Sequence, residues 1–329
     1  MKKRKIRITF FYYTLSSFVK KDLEILQNHY NVDIVKWHGK RDLIKILIKV
    51  IKSDLTYSWF AGDNAFVAVF FSKIFKKKSI IIVGGGDVAK IPEINYGRFT
   101  CGWKQKAITK YALKKADILL PVSNHTKNEL FKRVKPKRVE IIYNGVDNEE
   151  FCPKVEKEKI IVTIGNITQK IIKLKGLETY AMASCHYPDY KFVIIGKIEE
   201  KSKKEMEKIN PNLIFTGKIS HNEVLYWLQR AKIYCQLSYV ESFGMSVAEA
   251  MSCECIPIVT NRGALPELVG DAGFYVKYGN VEETINAIKK AIDSKENISK
   301  KSRERIEKMF SLKKRESKII KIINEELKG

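Results

Sequence analysis

The chain has 329 residues and is 45% hydrophobic, enough for two domains of ordinary size with a core in each. No run reaches the ~18 consecutive apolar residues of a membrane-spanning helix. The six cysteines, Cys101, Cys152, Cys185, Cys235, Cys253 and Cys255, form no C-x-x-C pair and no metal-ligand spacing, which reads as reduced thiols in a cytoplasmic protein and excludes a disulfide framework.

The net charge of +24 is concentrated in residues 1–150, which hold 30 Lys and Arg against 14 Asp and Glu. Such a surface suits anionic lipid, an anionic substrate or nucleic acid, and is equally the pattern of a lysine-rich solvated face. At the start, Met1 to Lys5 and the apolar stretch Ile8 to Val19 imitate a secretory signal. Lys20-Lys21-Asp22 stands where a small-residue cleavage site belongs, so the expectation is a first buried strand, Ile6 to Tyr13. A helix from Thr14 to about His29 and a strand Val32 to Lys36 follow. Arg41 to Lys52 is a helix apolar on most of its circumference, with Lys45, Lys49 and Lys52 one or two turns apart. One face must pack on a sheet. The remainder admits two readings, docking in the core or lying in a membrane interface with its lysines toward anionic headgroups.

Strand Asp54 to Phe60, helix Asp63 to Phe75 and strand Ser79 to Val83 lead into Gly84-Gly85-Gly86-Asp87. Glycines after a strand let a ligand approach the backbone at the sheet's carboxyl edge, and they also make a plain tight turn. Next come a basic helix, Lys104 to Lys115, a strand, Asp117 to Pro121, a turn, Val122 to Thr126, and a last strand, Val139 to Tyr143. His125 in that turn reads as a surface or capping residue. The charged stretch Glu156 to Lys159 marks a boundary near residue 155.

The second half repeats the alternation. Strand Ile160 to Ile164 ends in Gly165. Helix Leu174 to Cys185, strand Lys191 to Ile195, helix Ser202 to Ile209, strand Asn212 to Thr216, helix Asn222 to Ala231 and strand Ile233 to Leu237 follow. Strands alternating with helices give a parallel sheet with right-handed crossovers, and two such sheets joined by a linker leave a cleft for a ligand. After Leu237 the chain turns and a helix starts near Phe243, with Ser242 as its expected N-cap. Its first turn offers free N–H groups and the positive end of a dipole, an anion site. Glu241 precedes that helix. Glu249 lies inside it, where a carboxylate can accept two hydrogen bonds from vicinal hydroxyls. Ile256 to Val259 is the next strand.

The run Glu241-Ser-Phe-Gly-Met-Ser-Val-Ala-Glu249, with Ile256-Pro257-Ile-Val-Thr and Gly263-Ala-Leu-Pro266-Glu267 after it, resembles the donor-site signature of retaining glycosyltransferases with the GT-B fold, family 4, also called group 1. The resemblance implies an α/β protein of two Rossmann-like domains. It assigns an acceptor-side domain to residues 1–155, a nucleotide-sugar donor domain to 156–310, and a C-terminal helix, 311–329, that returns to the first domain. It makes Glu241 and Lys175 the catalytic pair. It gives donor binding to Gly165, Asn166, Lys173, Phe243, Gly244, Met245 and Glu249, with Gly85, Gly86 and Asp87 as candidates for the acceptor side.

This chain departs from the family pattern in places. The family's phosphate-binding arginine is Asn166 here, in a loop about three residues longer, which leaves Lys170 and Lys173 as candidates for the second charge, or as plain solvated lysines. Ser16 and Ser17 replace a glycine pair, Gly84 stands near a frequent histidine, and Glu254 stands where the helix usually ends on glycine. No Asp-x-Asp occurs, so no carboxylate cage for a divalent ion is evident and no metal or other cofactor is expected. The expected partners are a nucleotide-sugar donor, a glycan or lipid-linked acceptor and an anionic membrane at its periphery. Two other readings stay open. One is a sugar-nucleotide epimerase or glycan phosphorylase on the same fold. The other is charge-driven nucleic-acid binding, against which stands the absence of any helix-turn-helix, zinc or RNP-type motif.

Overall fold

The computed structural model describes residues 5–39, 42–294 and 297–328; Met1 to Arg4, the head of the signal-like segment, and Arg41, the expected first residue of the second helix, lie outside them. The chain divides into two units, residues 1–144 with 313–329, and residues 145–312. The division falls ahead of the charged stretch at 156–159. The reason lies in backbone bonds: Val146 N–H donates to Phe310 O and Leu312 N–H to Val146 O, each at 2.8 Å, which ties the segment after Asn144 to the second unit.

The first unit is built on five parallel strands, β1 (Arg7–Tyr12), β2 (Asn31–Lys36), β3 (Leu55–Trp59), β4 (Lys78–Val83) and β5 (Ile118–Pro121). Their order is β2-β1-β3-β4-β5. Helices α1 (Ser17–His29), α2 (Leu43–Lys52), α3 (Asp63–Ile74), α4 (Trp103–Lys115) and α5 (Asn124–Phe131) connect or follow them. The inner strands β3 and β4 are buried on both faces almost throughout, small hydroxyl side chains such as Thr56, Ser58 and Ser79 included, because helices cover both faces of the sheet. Ile46 and Val50 of α2 and Val67 and Ala68 of α3 pack together with Phe11 of β1 on one face. The expected strand Val139 to Tyr143 is a hydrogen-bonded edge segment instead. Glu140 N–H donates to Leu119 O and Ile142 N–H to Pro121 O, but only Val139 forms a bridge with β5. Its carbonyls at Ile142 and Tyr143 go to the Arg315 side chain rather than to another strand.

The second unit holds six parallel strands, β6 (Glu158–Ile164), β7 (Lys191–Ile195), β8 (Ile214–Gly217), β9 (Ala231–Gln236), β10 (Ile256–Thr260) and β11 (Phe274–Val276), in the order β11-β10-β9-β6-β7-β8. Its helices are α6 (Gln169–Lys175), α7 (Leu177–Ser184), α8 (Glu200–Ile209), α9 (His221–Arg230), α10 (Met245–Ser252), α11 (Leu265–Val269), α12 (Val281–Asp293) and α13 (Asn297–Met309). A last helix, α14 (Leu312–Lys328), belongs from Lys313 onward to the first unit. Among the described residues no helix is long and apolar enough to cross a membrane.

Glu254 answers the question its position raises. It takes a left-handed conformation, φ +64°. Glu254 N–H donates to Met251 O and Cys255 N–H to Ala250 O, each at 2.9 Å, the two bonds of a Schellman cap closed without glycine. A side chain in that region costs free energy that glycine avoids, offset in part by glycine's greater unfolded-state entropy. Glu254→Gly is therefore expected to raise stability by about 0.5–1 kcal/mol. Chemical denaturation checks it, and a lower midpoint would mean that the glutamate is unstrained there.

Candidate active site

In an open parallel sheet, ligands gather beyond the carboxyl ends of the strands where the strand order reverses. In the second unit that point lies between β6 and β9, since the chain runs outward from β6 through β7 and β8 and returns to β9. The loops that leave these two strands carry Gly165 to Lys175 and Leu237 to Met245. The expected donor-site residues therefore fall on one edge of one sheet.

The first loop is shaped by glycine. The expected single helix Leu174 to Cys185 is two helices, α6 and α7, broken at Gly176 with φ +63°. A Cβ on Gly176 would stand 2.1 Å from Leu237 O, so only glycine lets the break press against the end of β9. Tyr239 N–H donates to Leu174 O at 2.8 Å across the same seam. Lys175 is thereby held over the second loop, half-buried, and its ammonium pairs with the Glu241 carboxylate. Lys170 and Lys173 stay exposed on α6, and the Lys173 carbonyl accepts a bond from Tyr278 OH at 2.5 Å. Asn166 is occupied locally, its Oδ1 accepting from Lys197 N–H at 3.0 Å.

Glu241 is held through one carboxylate oxygen and through its backbone carbonyl. Its Oε1 accepts from Ser238 Oγ at 3.1 Å and from Gln236 Nε2 at 3.2 Å besides Lys175. Gln236 in turn accepts from Tyr234 OH at 2.9 Å and Ser246 Oγ at 3.3 Å. The Glu241 carbonyl takes Ala264 N–H at 2.8 Å, and a Cβ on Gly263 would lie 2.3 Å from that carbonyl oxygen. This network anchors a carboxylate that is solvated on one side only.

The helix after Glu241 starts later than expected. Gly244, at φ +98°, is the N-cap of α10, not Ser242, and Met245 is its first residue. Phe243 is buried with its ring 5.7 Å from that of Phe310, so its side chain belongs to the core and only its backbone lies by the helix start. Glu249 stands one turn into α10 and is 9% exposed. Burial, with the charge of Glu150 adding to it, pushes its carboxyl up to about 8. No hydrogen bond from a described residue reaches that carboxylate.

Sequence reasoning missed three neighbours. The Arg262 guanidinium stacks 3.9 Å over the Tyr239 ring and 5.8 Å from that of Tyr278, and the two rings meet edge to face at 5.1 Å. They come from three separate loops, so no local pattern joins them. In the first unit, Gly85 takes φ +107° and Asp87 is buried, accepting backbone N–H groups of Ala61 and Gly85 at 2.9 and 2.8 Å. Burial holds its carboxyl above the usual range. Asp87 thus braces its loop from within, and Gly86 lies at the turn. The strand order of this unit reverses between β1 and β3, where Tyr13 and Phe60 stand, rather than at β4, which the Gly84 to Gly86 run follows. No three His, Cys, Asp or Glu side chains among the described residues gather as a metal site.

Residues 147–309, nearly the whole second unit, match the family Glycosyl transferases group 1. The second unit belongs to that family. It is 25% identical over 219 residues to the phosphatidylinositol N-acetylglucosaminyltransferase GPI3 subunit of Saccharomyces cerevisiae, a match covering 60% of this chain and 47% of the yeast protein. The chain thus spans about half the length of the yeast relative. An uncharacterised glycosyltransferase of Methanocaldococcus jannaschii is 26% identical over 305 residues, 89% of this chain and 83% of its own. Among solved structures, Anabaena HepE in complex with UDP and glucose superposes with a TM-score of 0.79 at 15% identity, covering 97% of this chain and 100% of that one. That likeness concerns the fold, which is GT-B, with a Rossmann-like parallel sheet in each unit.

Proposed function

We propose that this chain is a metal-independent glycosyltransferase that moves a hexose-type sugar from a nucleotide diphosphate to a hydroxyl acceptor, retaining the anomeric configuration. The observation that carries the reading is the Lys175–Glu241 pair at the switch point of the second sheet, beside the start of α10. When the anomeric bond breaks, negative charge grows on the diphosphate and positive charge on the sugar ring. A preorganised ammonium and the N–H groups at Gly244 and Met245 stabilise the first. The Glu241 carboxylate positions the sugar and supports the second. Lys173 is the second phosphate cation, taking the role that Asn166 cannot. Glu249 holds the ribose hydroxyls. Gly85 and Gly86 of the first unit serve the acceptor, with Asp87 as their internal brace. The yeast relative's name specifies phosphatidylinositol and HepE is described with UDP and glucose, which favours a uridine donor and a lipid-linked acceptor for this chain.

The test is calorimetric titration of UDP, GDP, ADP and their sugar conjugates without metal, in parent and Glu249→Gln protein. A buried carboxyl raised from an ordinary 4.5 to about 8 makes the folded state the stronger proton binder between those values. The stability of the unliganded parent therefore falls as pH rises through that window, by up to ~1.4 kcal/mol per pH unit, and Glu249→Gln removes the loss. At pH 8, where the Glu249 carboxyl is ionised in a large share of molecules, the variant is expected to melt higher than the parent and to lose at least about tenfold in nucleotide affinity, since the carboxylate acceptor of two hydroxyl bonds is gone. Nucleotide affinity unchanged in Glu249→Gln would remove Glu249 from the site. A chain that binds no nucleotide sugar at all would overturn the reading.

A further inference from the structure

The surface helices of the first unit break a rule that water imposes on folded chains. A helix packed on a sheet shows its apolar stripe to the core and polar residues to solvent. Helix α2 satisfies the first half with Ile46 and Val50 buried on the sheet. Its outward row is apolar as well: Ile44, Ile48 and Ile51, spaced i, i+4, i+7, are exposed, Ile44 to 74%. Helix α3 packs beside α2 on the same face of the sheet and exposes Phe70 and Ile74, with Phe70 reaching toward Tyr111 of α4. Helix α4, next in line against α3, begins with Trp103, exposed to 75%. Large side chains shown singly to water are ordinary, whereas three adjacent helices presenting them on one face mark an interaction surface.

Charge says what that surface meets. Neither α2 nor α4 contains an acidic residue. Exposed Lys45 and Lys52 flank the isoleucine row, and Lys104, Lys110 and Lys114 lie along α4. The one acidic residue of α3, Asp63, is neutralised by Arg98 at 3.1 Å. Elsewhere on this unit lysines are mixed with glutamates, as along α14, where Lys321 pairs with Glu325 and Lys78 with Glu326. The face is therefore apolar in its outward row and predominantly cationic around it, with Asp42 at the N-cap of α2 and with Asp117, beyond the end of α4, paired to Lys73. A second copy of the chain is a poor occupant, because an isologous contact sets this lysine field against itself. A surface that is hydrocarbon at a shallow depth and anionic above it fits both properties. Isoleucine and aromatic side chains enter the acyl boundary, the tryptophan sits at headgroup level, and lysine stems extend to the phosphates.

We propose that the outer face of α2, α3 and α4 is a docking surface for an anionic lipid bilayer, entered by Ile44, Ile48, Ile51 and Trp103 and steered by the lysines around them. It goes beyond the proposed transfer reaction and does not depend on it. The test is flotation of the full chain with vesicles of phosphatidylcholine alone and of phosphatidylcholine with phosphatidylglycerol. The parent is expected to float with the anionic vesicles at low salt and weakly with the neutral ones. Ile44→Ser/Ile48→Ser/Ile51→Ser should weaken binding at least about tenfold. Each of Lys45→Gln, Lys52→Gln and Lys110→Gln should weaken it by about fivefold at low salt and less at high salt. Trp103→Phe should abolish a blue shift in tryptophan emission on vesicle addition. All variants lie at exposed positions, and an unchanged thermal midpoint establishes that each is folded. Failure of the parent to float at low salt overturns the proposal. So does undiminished binding of the triple serine variant, or a dimer in sedimentation that this variant dissociates. Nucleotide titration stands apart from all of these outcomes and reports on the transfer reaction alone.

Discussion

Arg315→Ala is expected to cost the first unit ~3–5 kcal/mol, the cost of breaking a buried ion pair from one side. Helix α14 carries Arg315 into the interior of that unit, where the side chain is 2% exposed and its partner Asp22 of α1 is fully buried. The contact is bidentate: Arg315 Nε donates to Asp22 Oδ1 at 2.6 Å and Nη2 to Oδ2 at 2.7 Å. Arg315 Nη1 also reaches Tyr143 O at 2.7 Å. Asp22 Oδ2 further accepts Tyr57 OH at 2.8 Å and Trp59 Nε1–H at 2.9 Å. Truncating the arginine leaves a carboxylate in a dry site with neutral donors only, and leaves the Tyr143 carbonyl without its guanidinium. Arg315→Lys keeps the charge but not the planar fork, so its cost should fall in between. Asp22→Leu should exceed Arg315→Ala, because it strands the arginine together with the tyrosine and tryptophan donors. Urea denaturation followed by tryptophan emission reads this directly, since Trp59 lies against the pair. A loss below about 1 kcal/mol on Arg315→Ala would place the pair among solvent-screened surface bridges.

That pair also shows where sequence reasoning stops. Short β-branched runs closed by glycine, such as Ile160 to Gly165 and Ser79 to Gly84, identify buried parallel strands because a strand covered on both faces needs no polar alternation. The two-sheet fold follows from their repetition. Lys175 and Glu241 are each singled out by the family resemblance, but their direct ion pair is visible only in the structure. Asp22 and Arg315 lie 293 positions apart, and nothing local distinguishes either from a solvated surface charge. The break at Gly176 depends on Leu237 O arriving from another strand. The cap at Gly244 displaced Ser242 because the tight fit against Leu265 and Leu268 of α11 and the positive φ both select glycine, a demand set by packing rather than by capping propensity. Arg262, Tyr239 and Tyr278 converge from three loops and leave no periodic trace. In each case the missing information is a contact between segments distant in the sequence, made by side chains or by backbone.

The second large effect concerns Lys175. Under the proposed reading, Lys175→Ala should lower kcat by about a hundredfold or more, with a smaller change in KM, because the charge on the leaving diphosphate grows only as the glycosidic bond breaks. The variant should stay folded. Lys175 is partly solvated, and without it the Glu241 carboxylate keeps its bonds from Ser238 and Gln236. In the unliganded protein the lysine is held by Glu241, so donor binding must bring the diphosphate within reach of an ammonium already fixed in place. That ordering cost is met when the unit folds, which is why an alanine there cannot be rescued by raising the donor concentration. Glu241→Gln tests the other half. It retains the hydrogen-bonding oxygen but removes the charge that fixes Lys175 and faces the sugar, and it should also cost at least about a hundredfold in kcat. If the two side chains work as one device, the double variant should be little worse than the poorer single one, whereas independent roles would multiply. Steady-state transfer assays on the three variants decide between these. A Lys175→Ala protein with kcat within about threefold of the parent would remove the lysine from the transition state and leave the pair a structural bridge between α6 and the loop after β9.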